Sequence, residues 1–137
     1  MKNPRSAYDQ AGGMAYFPRM LDKIRLHATG ELDPAYHANL GKGADGRCLD
    51  FLRVTYEDVR ARTLAGGTDE EILAWCMETG RTLSPNDLIV WNGFITKLGW
   101  NDFASDFLAA RKREAGLEAR NDIQTIPQLF DVEEGRK

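Results

Sequence analysis

The chain has 137 residues, which is enough for one domain to bury most of the surface that its unfolded form would expose, without disulfide bonds. Hydrophobic residues make up 42% and charged residues 28%, as in soluble globular proteins, and the net charge of −3 argues against general binding to nucleic acid or acidic membranes. No window approaches the roughly 18 apolar residues of a membrane span, and the first residues lack the apolar segment of a signal peptide. These features favour a soluble cytoplasmic protein without nucleic-acid or membrane partners.

Three segments are predicted along the chain. Residues 1–16 mix proline, glycine and polar residues and are expected to form an irregular N-terminal arm that docks through Tyr16 and Phe17. Residues 17–132 are expected to form a single helical domain. Residues 133–137 are expected to be a charged, frayed tail.

The first helix is predicted over residues 18–29, where apolar side chains recur at the i, i+3, i+4, i+7 spacing of a core-facing surface. Proline suits its first position, because the missing N–H would be unpaired there, and the glycine after it supplies a left-handed residue that ends many helices. The flank of this helix carries one acid among three bases, namely Arg19, Asp22, Lys23 and Arg25. This basic helix face is either a solvated surface or a clamp for a carboxylate or phosphate.

Further helices are marked by start and stop signals. The start signals are Asp33–Pro34, Thr55 with Asp58, Thr68 with Glu71, Ser84–Pro85, Asn101 and Thr125, and the stop signals are Gly41, Gly66–Gly67, Gly80, Gly99 and Gly116. The apolar residues between Asp45 and Leu52 predict one more short, buried helix. No segment shows the alternation of a half-buried strand, so the predicted fold class is all-α, a single compact domain of six or seven short helices.

One polar residue interrupts the apolar face of the helix that begins after Ser84. Asn92 lies between Leu88 and Ile95 at helical spacing. A buried amide must find hydrogen-bond partners, and we therefore expect a structural bond from Asn92 to another helix.

The loop Gly41–Gly46 spells GxGxxG, the pattern of dinucleotide-binding turns. That pattern requires a preceding strand, and the residues before Gly41 look helical, so a dinucleotide site is not expected. Two alternatives are left open. Lys42 and Arg47, beside a helix start, would form an anion site, or the loop is a tight connection between two helices.

The two histidines, His27 and His37, are candidates for a metal pair or for an acid and a base. His27 lies near the apolar stripe of the first helix, which favours a core or boundary histidine bonded to a backbone carbonyl. Adding Asp45, Asp50 and Cys48 would complete a ligand set, but the spacing matches no known metal motif. We therefore expect no metal and no cofactor.

The two cysteines, Cys48 and Cys76, are 28 positions apart and form no CxxC pair, so reduced thiols are predicted. Cys48 follows Arg47 at a helix start, where a cation and the helix N-terminus would lower the pKa of a thiol and favour a nucleophile. The alternative, which is the commoner role of cysteine, is a small buried core residue.

Four stretches of the chain together resemble a known family. They are Phe17-Pro18-Arg19-Met20-Leu21-Asp22-Lys23-Ile24-Arg25, Tyr36 with His37, Asp45 to Leu52, and Asp69 to Trp75. Through them the chain, from about Phe17 to the tail, resembles a small bacterial family catalogued as domain of unknown function 5069. The resemblance implies a free-standing bacterial cytoplasmic domain and marks Pro18 and the basic helix face as hallmark positions. It carries over no catalytic residue, because the family has no assigned activity.

Three functions fit these features. The first is a module that binds an anionic small molecule, or the carboxylate of a protein partner, through the basic helix face, the Lys42/Arg47 loop or both. The second is an enzyme that combines those cations with Asp22, His27 or His37, Asp45 and Cys48, and the third is a protein-interaction domain. An acid, base or nucleophile within hydrogen-bond reach of the cations would favour the enzyme. The candidate site residues are Arg19, Asp22, Lys23, Arg25, His37, Lys42, Asp45, Arg47 and Cys48.

Overall fold

Seven α-helices and one short 3-10 helix dominate the part of the chain that the computed structural model describes, residues 1–136. The helices are α1 Phe17–Ala28, the 3-10 helix Pro34–Asn39, α2 Ala44–Leu52, α3 Tyr56–Leu64, α4 Asp69–Thr79, α5 Pro85–Ile95, α6 Ser105–Glu114 and α7 Ile126–Glu133. The predicted all-α class is confirmed, with one addition, a small antiparallel hairpin of β1 Gln10–Ala11 and β2 Met14–Ala15. None of the described helices is long and apolar enough to cross a membrane.

Helix α1 runs through the centre of the core and packs against α3 and β1. Its predicted apolar stripe is fully buried at Phe17, Met20, Leu21 and Ile24, whereas the last member of the stripe, Ala28, is exposed at the end of the helix. Burial of each such side chain contributes about 1.5–3 kcal/mol to folding, so this helix anchors the domain.

Two members of the basic helix face are buried together with that stripe. Arg19 is 1% exposed and Lys23 is 6% exposed. The solvated-surface alternative is therefore wrong for these two residues. Because a buried charge is costly unless it is paired, their partners reveal what this face of α1 does.

The N-terminal arm, which was predicted to be irregular, contains the hairpin and is attached to α5. Gly12 and Gly13 form the turn, with φ angles of 56° and 82°. The Asn92 amide oxygen accepts a hydrogen bond from the Ala15 N–H at 2.9 Å, and the amide nitrogen donates to the Gly13 carbonyl oxygen at 2.8 Å. The structural bond expected of Asn92 is thus present, but it holds the hairpin rather than another helix.

The predicted helix start at Asn101 is wrong. Asn101 has a φ angle of 47°, and α6 begins only at Ser105. The Asp102 carboxylate accepts hydrogen bonds from the N–H groups of Gly99 and Ala104 and closes a turn before the helix. Asn and Asp favour such turns as well as helix caps, so the residue type at position 101 does not by itself distinguish a turn from a helix start. Of the other predicted starts, Thr68, Ser84 and Thr125 form capping boxes, and Asp33 and Thr55 each accept one capping hydrogen bond.

Gly80 ends α4 where that helix comes close to the end of α2. A Cβ atom at Gly80 would overlap the Leu52 carbonyl oxygen and lie 2.8 Å from the Arg53 carbonyl oxygen. Because backbone atoms cannot rotate away, we expect Gly80→Ala to lower the free energy of unfolding by about 1–3 kcal/mol, as overpacking does. Urea denaturation of the purified variant measures this change.

Gly93 provides the matched control for that substitution. It lies inside α5, and no atom lies within 4 Å of a Cβ added there. Alanine is the better helix former, so Gly93→Ala is expected to raise the free energy of unfolding by about 0.5–1 kcal/mol. Similar changes in the two variants would contradict the close approach at Gly80.

Candidate functional site

A cavity of about 510 Å³ opens between α1, the 3-10 helix, the start of α2, α6 and α7. Its volume lies in the range of small-molecule sites. Four of the predicted site residues line it, namely Arg19, Lys23, Lys42 and Arg47. Its aromatic walls consist of Tyr16, Tyr36, Phe103, Phe107 and Phe130.

Tyr16, Lys23 and Asp45 form a compact polar group on the buried side of the cavity, which we call the floor triad. Lys23 Nζ lies 2.8 Å from Asp45 Oδ1 and donates a 3.3 Å hydrogen bond to the Tyr16 hydroxyl oxygen. The Tyr16 hydroxyl donates to the same Asp45 oxygen at 2.7 Å, and the Gly41 N–H donates to the other at 3.0 Å. Tyr16 and Lys23 line the cavity, whereas Asp45 lies fully buried behind them.

Burial changes the protonation equilibria of the floor triad. It lowers the pKa of the Lys23 amine, because loss of water disfavours the ammonium more than the neighbouring Asp45 carboxylate stabilises it. It raises the pKa of the Tyr16 phenol well above 10.0, and the negative charge of Asp45 raises it further. The phenol therefore keeps its proton at neutral pH, while Lys23 loses a proton more readily than an exposed lysine does.

Arg19 forms a second buried ion pair, with Glu134. Its guanidinium donates to both carboxylate oxygens, at 2.9 and 2.7 Å, and also to the Arg5 carbonyl oxygen at 3.1 Å. The Tyr36 hydroxyl donates to Glu134 at 2.5 Å, and the Arg136 guanidinium binds the same carboxylate. Glu134 thus ties the end of α7 to α1, the arm and the 3-10 helix.

The surroundings of this pair keep both groups charged. Burial by itself would raise the pKa of Glu134, but the hydrogen bonds from Arg19, Tyr36 and Arg136 lower it overall. The Arg19 guanidinium lies 4.5 Å from the centroid of the Phe130 ring, at the distance of a cation–π contact. Arg19 Nε is buried without a hydrogen-bond partner among residues 1–136.

Lys42 and Arg47 are exposed at the rim of the cavity, and within residues 1–136 neither forms an ion pair. The Arg47 guanidinium lies 4.6 Å from the centroid of the Phe103 ring. Helix α2 starts beside them, after Gly43, and no side chain caps its first N–H groups. Gly43 and Ala44 line the cavity, so the positive end of the helix dipole adds to the charge of the two rim cations.

The other charged side chains of the cavity nearly balance one another. Arg111 lies 3.4 Å from Glu133, and the cations of α1 have their own buried partners. The remaining lining carboxylate is Asp33, which accepts a hydrogen bond from the Ala35 N–H at 2.9 Å. Excess positive charge is therefore located at the rim.

Asp22 and Arg25 do not line the cavity and belong to a separate network. The Arg5 guanidinium donates two 2.9 Å hydrogen bonds to Asp22, while Arg5 and Arg25 both donate to Asp69, at 2.5 and 2.7 Å. Burial opposes ionisation of Asp22, but the bonds from Arg5 outweigh it and lower the pKa of this carboxyl. The basic helix face is therefore divided into two parts. Arg19 and Lys23 line the cavity, whereas Asp22 and Arg25 join α1 to the arm and α4.

His37 and Cys48 also lie outside the cavity lining. His37 is exposed, and its Nε2 atom lies 3.2 Å from the Leu32 carbonyl oxygen. The carbonyl bond was expected of His27, whose buried Nδ1 has no partner among the described residues. Cys48 is fully buried and burial raises the pKa of its thiol, so it is a core residue and not an activated nucleophile. No three His, Cys, Asp or Glu side chains in residues 1–136 are grouped to hold a metal ion.

Three polar residues of this site, Tyr16, Tyr36 and Glu134, were not predicted as members, and neither were the phenylalanines of the aromatic walls, Phe103, Phe107 and Phe130. Tyr16 was expected only to dock the arm. Glu134 was assigned to a frayed tail, and its partner Arg19 is 115 positions away, so no local pattern could connect them. Tyr36 carried one usable signal, because it belongs to the stretches on which the family resemblance rests.

A family model described as Domain of unknown function (DUF5069) matches residues 1–136, and the chain therefore belongs to this family. The resemblance seen in the four stretches is confirmed. No curated protein matches the chain. The family description assigns no activity, so the cavity is the feature of the molecule from which a function can be inferred.

Proposed function

We propose that this member of the DUF5069 family binds a small organic anion in the cavity, or the carboxylate of a protein partner, which presents the same chemistry. The anionic group would lie against Lys42, Arg47 and the first turn of α2. One observation carries the proposal: two exposed cations, for which residues 1–136 provide no ion pair, flank a helix N-terminus that no side chain of the same residues caps, at the rim of an aromatic-walled cavity. Helix N-termini favour anions because their N–H groups and dipole both point at the ligand.

The energetic cost of binding an anion favours the cations at the rim over those on the buried side. We call the group of Lys42, Arg47 and the first turn of α2 the anion seat. A ligand that took Arg19 from Glu134 would leave a carboxylate buried and unpaired, at a cost of about 3–5 kcal/mol. At the rim an anion displaces only water. It would gain about 1.5–3 kcal/mol from each charge-assisted hydrogen bond and about 0.3–1 kcal/mol from the helix dipole.

The aromatic walls favour an anion with an apolar or aromatic body over a bare inorganic ion. Phe103 and Phe107 are 64% and 52% exposed although both line the cavity. A flat organic body would cover these rings, and an aromatic pair contributes about 0.5–1.5 kcal/mol beyond the area that it buries. Arg47, which lies over Phe103, would contact the anionic group and the body of the same ligand.

A cytoplasmic location is part of the proposal. It is supported by Cys48 and Cys76, which are free and buried. Burial raises the pKa of the Cys76 thiol to about 12, so this thiol stays protonated at neutral pH. Unpaired thiols are usual in reducing compartments.

Thermal unfolding with added anions tests this function. We expect benzoate to raise the melting temperature more than acetate or inorganic phosphate does, because only benzoate reaches both the rim cations and the aromatic walls. A ligand at 100 times its Kd stabilises the folded state by about 2.7 kcal/mol, which corresponds to a rise on the order of 10 °C in a domain of this size. A short glutamate-rich peptide, added in parallel, tests the carboxylate of a protein partner.

Matched variants locate the seat of the anion. Lys42→Ala and Arg47→Ala are expected to reduce the temperature rise by at least half. Lys97→Ala and Arg113→Ala remove exposed cations outside the cavity lining and should leave the rise unchanged. Equal losses in all four variants would mean diffuse attraction of anions and would contradict a seat at the rim.

A further inference from the structure

We propose that Lys23 is an imine-forming amine for small 2-oxo acids, and that Tyr16 transfers protons to and from the oxygen of the reacting carbonyl. The inference rests on the proposed function, because the carboxylate of a 2-oxo acid would occupy the anion seat at the rim. It adds a covalent step to that seat and assigns roles to two residues that anion binding alone leaves without one.

The position of Lys23 carries this inference. Lys23 lines the cavity although it is only 6% exposed. Among residues 1–136 the partners of its amine are Asp45 and Tyr16, which leaves one of the three N–H donors of the ammonium without a protein partner. A lysine that lines a cavity and contacts an acid–base pair has the arrangement that covalent catalysis by lysine requires.

The first turn of α2 connects this amine to the anion seat. Asp45, the partner of Lys23, is the second residue of α2, whose first N–H groups belong to the seat. One end of the helix therefore takes part in both places. A ligand that uses both needs a carboxylate and a carbonyl group in one small molecule, and 2-oxo acids, in which the two groups are adjacent, are the class proposed.

The protonation states of Lys23 and Tyr16 support the same inference. Burial lowers the pKa of Lys23, so a larger fraction of this amine is neutral and nucleophilic than for an exposed lysine. Tyr16 remains a phenol and can donate. Its hydroxyl lies between the amine and the Asp45 carboxylate, in hydrogen-bond contact with both.

The step balances without an oxidant or reductant. The Lys23 ammonium passes a proton to Asp45, and its lone pair forms a bond to the carbonyl carbon while the π electrons move to oxygen. That oxygen takes a proton from Tyr16, which Asp45 reprotonates, and the nitrogen then returns a proton to Asp45. A second proton delivered through Tyr16 lets the hydroxyl leave as water, and the nitrogen lone pair forms the C=N bond. The products are a protonated imine and one water.

The buried ion pair of Arg19 and Glu134 is also at the cavity, but its arrangement is that of a structural pair and differs from that of Lys23. The guanidinium is covered by Phe130 and bonded to both carboxylate oxygens and a backbone carbonyl. Arginine stays protonated in proteins and cannot act as a nucleophile. Lys23 differs on both counts, because its amine has two described partners and can lose a proton.

Reductive trapping tests the inference on the unmodified protein. The wild type is incubated with pyruvate and sodium cyanoborohydride, and the labelled lysines are identified by peptide mass spectrometry. Exposed lysines react first when labelling is non-specific, so adducts on Lys2 and Lys97, which lie outside the cavity lining, ahead of Lys23 would overturn the inference. The expected result is that Lys23, although buried, is labelled first and by at least about ten times the rate of Lys2 or Lys97.

Two tyrosine variants test the role of the phenol. Tyr16→Phe keeps the shape and the Lys23–Asp45 pair, and we expect it to slow labelling of Lys23 by about 10²-fold, as loss of general acid–base catalysis does. Tyr8→Phe, outside the cavity lining, should label as the wild type does. An unchanged rate in a folded Tyr16→Phe protein would overturn the assignment of Tyr16, and if that variant does not fold, the wild-type labelling pattern still decides the role of Lys23.

Competition separates this inference from the proposed function. Benzoate carries a carboxylate but no reactive carbonyl, so it should protect Lys23 from pyruvate if both use the anion seat. If benzoate raises the melting temperature but Lys23 is not labelled, the imine is wrong and anion binding stands. If Lys23 is labelled first and benzoate neither protects it nor stabilises the protein, the anion seat is wrong and the amine is reactive towards carbonyl compounds in general.

Discussion

Asp45→Ala is expected to lower the free energy of unfolding by about 3–5 kcal/mol, the usual cost of leaving one member of a buried ion pair without its partner. The Asp45 carboxylate is fully buried and interacts with the amine of Lys23, the hydroxyl of Tyr16 and the Gly41 N–H. Its removal leaves the Lys23 amine, in a side chain that is only 6% exposed, without its counterion. Urea denaturation at neutral pH measures the loss.

Two further variants show whether the loss comes from the buried charge. Asp50→Ala removes an exposed carboxylate from the same helix and should change the stability by no more than about 0.5 kcal/mol. The double variant Lys23→Met/Asp45→Leu replaces both charges by apolar groups and should be more stable than Asp45→Ala, because no buried charge is left unpaired. A double variant as unstable as Asp45→Ala would assign the loss to packing.

The fold follows from local signals in the sequence. Thr68, Ser84 and Thr125 each form the capping box that a hydroxyl at the cap and an acid or amide three residues later predict. The apolar stripe of α1 faces the core because its spacing allows one buried face. The failure at Asn101 is informative, since a turn stabilised by the Asp102 carboxylate uses the same residue types as a helix cap.

The site depends on distant contacts, which local signals do not contain. The charge pattern of α1 predicted Arg19, Asp22, Lys23 and Arg25 as one face, but their partners lie in the arm, in α2 and α4, and at the end of α7. These partners divide the face into two networks with different tasks. For the glycine loop, an anion site at a helix start was one of two alternatives left open, and the pairing of its Asp45 with Lys23 is a tertiary contact that no local pattern predicts.

Glu134→Ala is expected to lower the free energy of unfolding as much as Asp45→Ala does, although Glu134 comes from the segment predicted to be a frayed tail. The carboxylate accepts hydrogen bonds from Arg19 and Tyr36 and is bound by Arg136. Without it the Arg19 guanidinium stays buried and charged, because the pKa of arginine is too high for deprotonation. We expect a loss of about 3–5 kcal/mol at neutral pH in urea denaturation.

The pH dependence of this loss identifies its cause. The folded-state pKa of Glu134 is below its ordinary value of 4.5, so the ionised carboxylate stabilises the fold above about pH 4.5 and loses this effect as the pH falls towards the folded-state pKa. The wild type should therefore lose stability on acidification more steeply than Glu134→Ala, and the difference between them should shrink below about pH 4. Glu114→Ala, at a carboxylate 72% exposed on α6, should change the stability by no more than about 0.5 kcal/mol. A difference between wild type and Glu134→Ala that stays constant from pH 7 to about pH 3 would show that Glu134 stabilises the fold through packing and not through its charge.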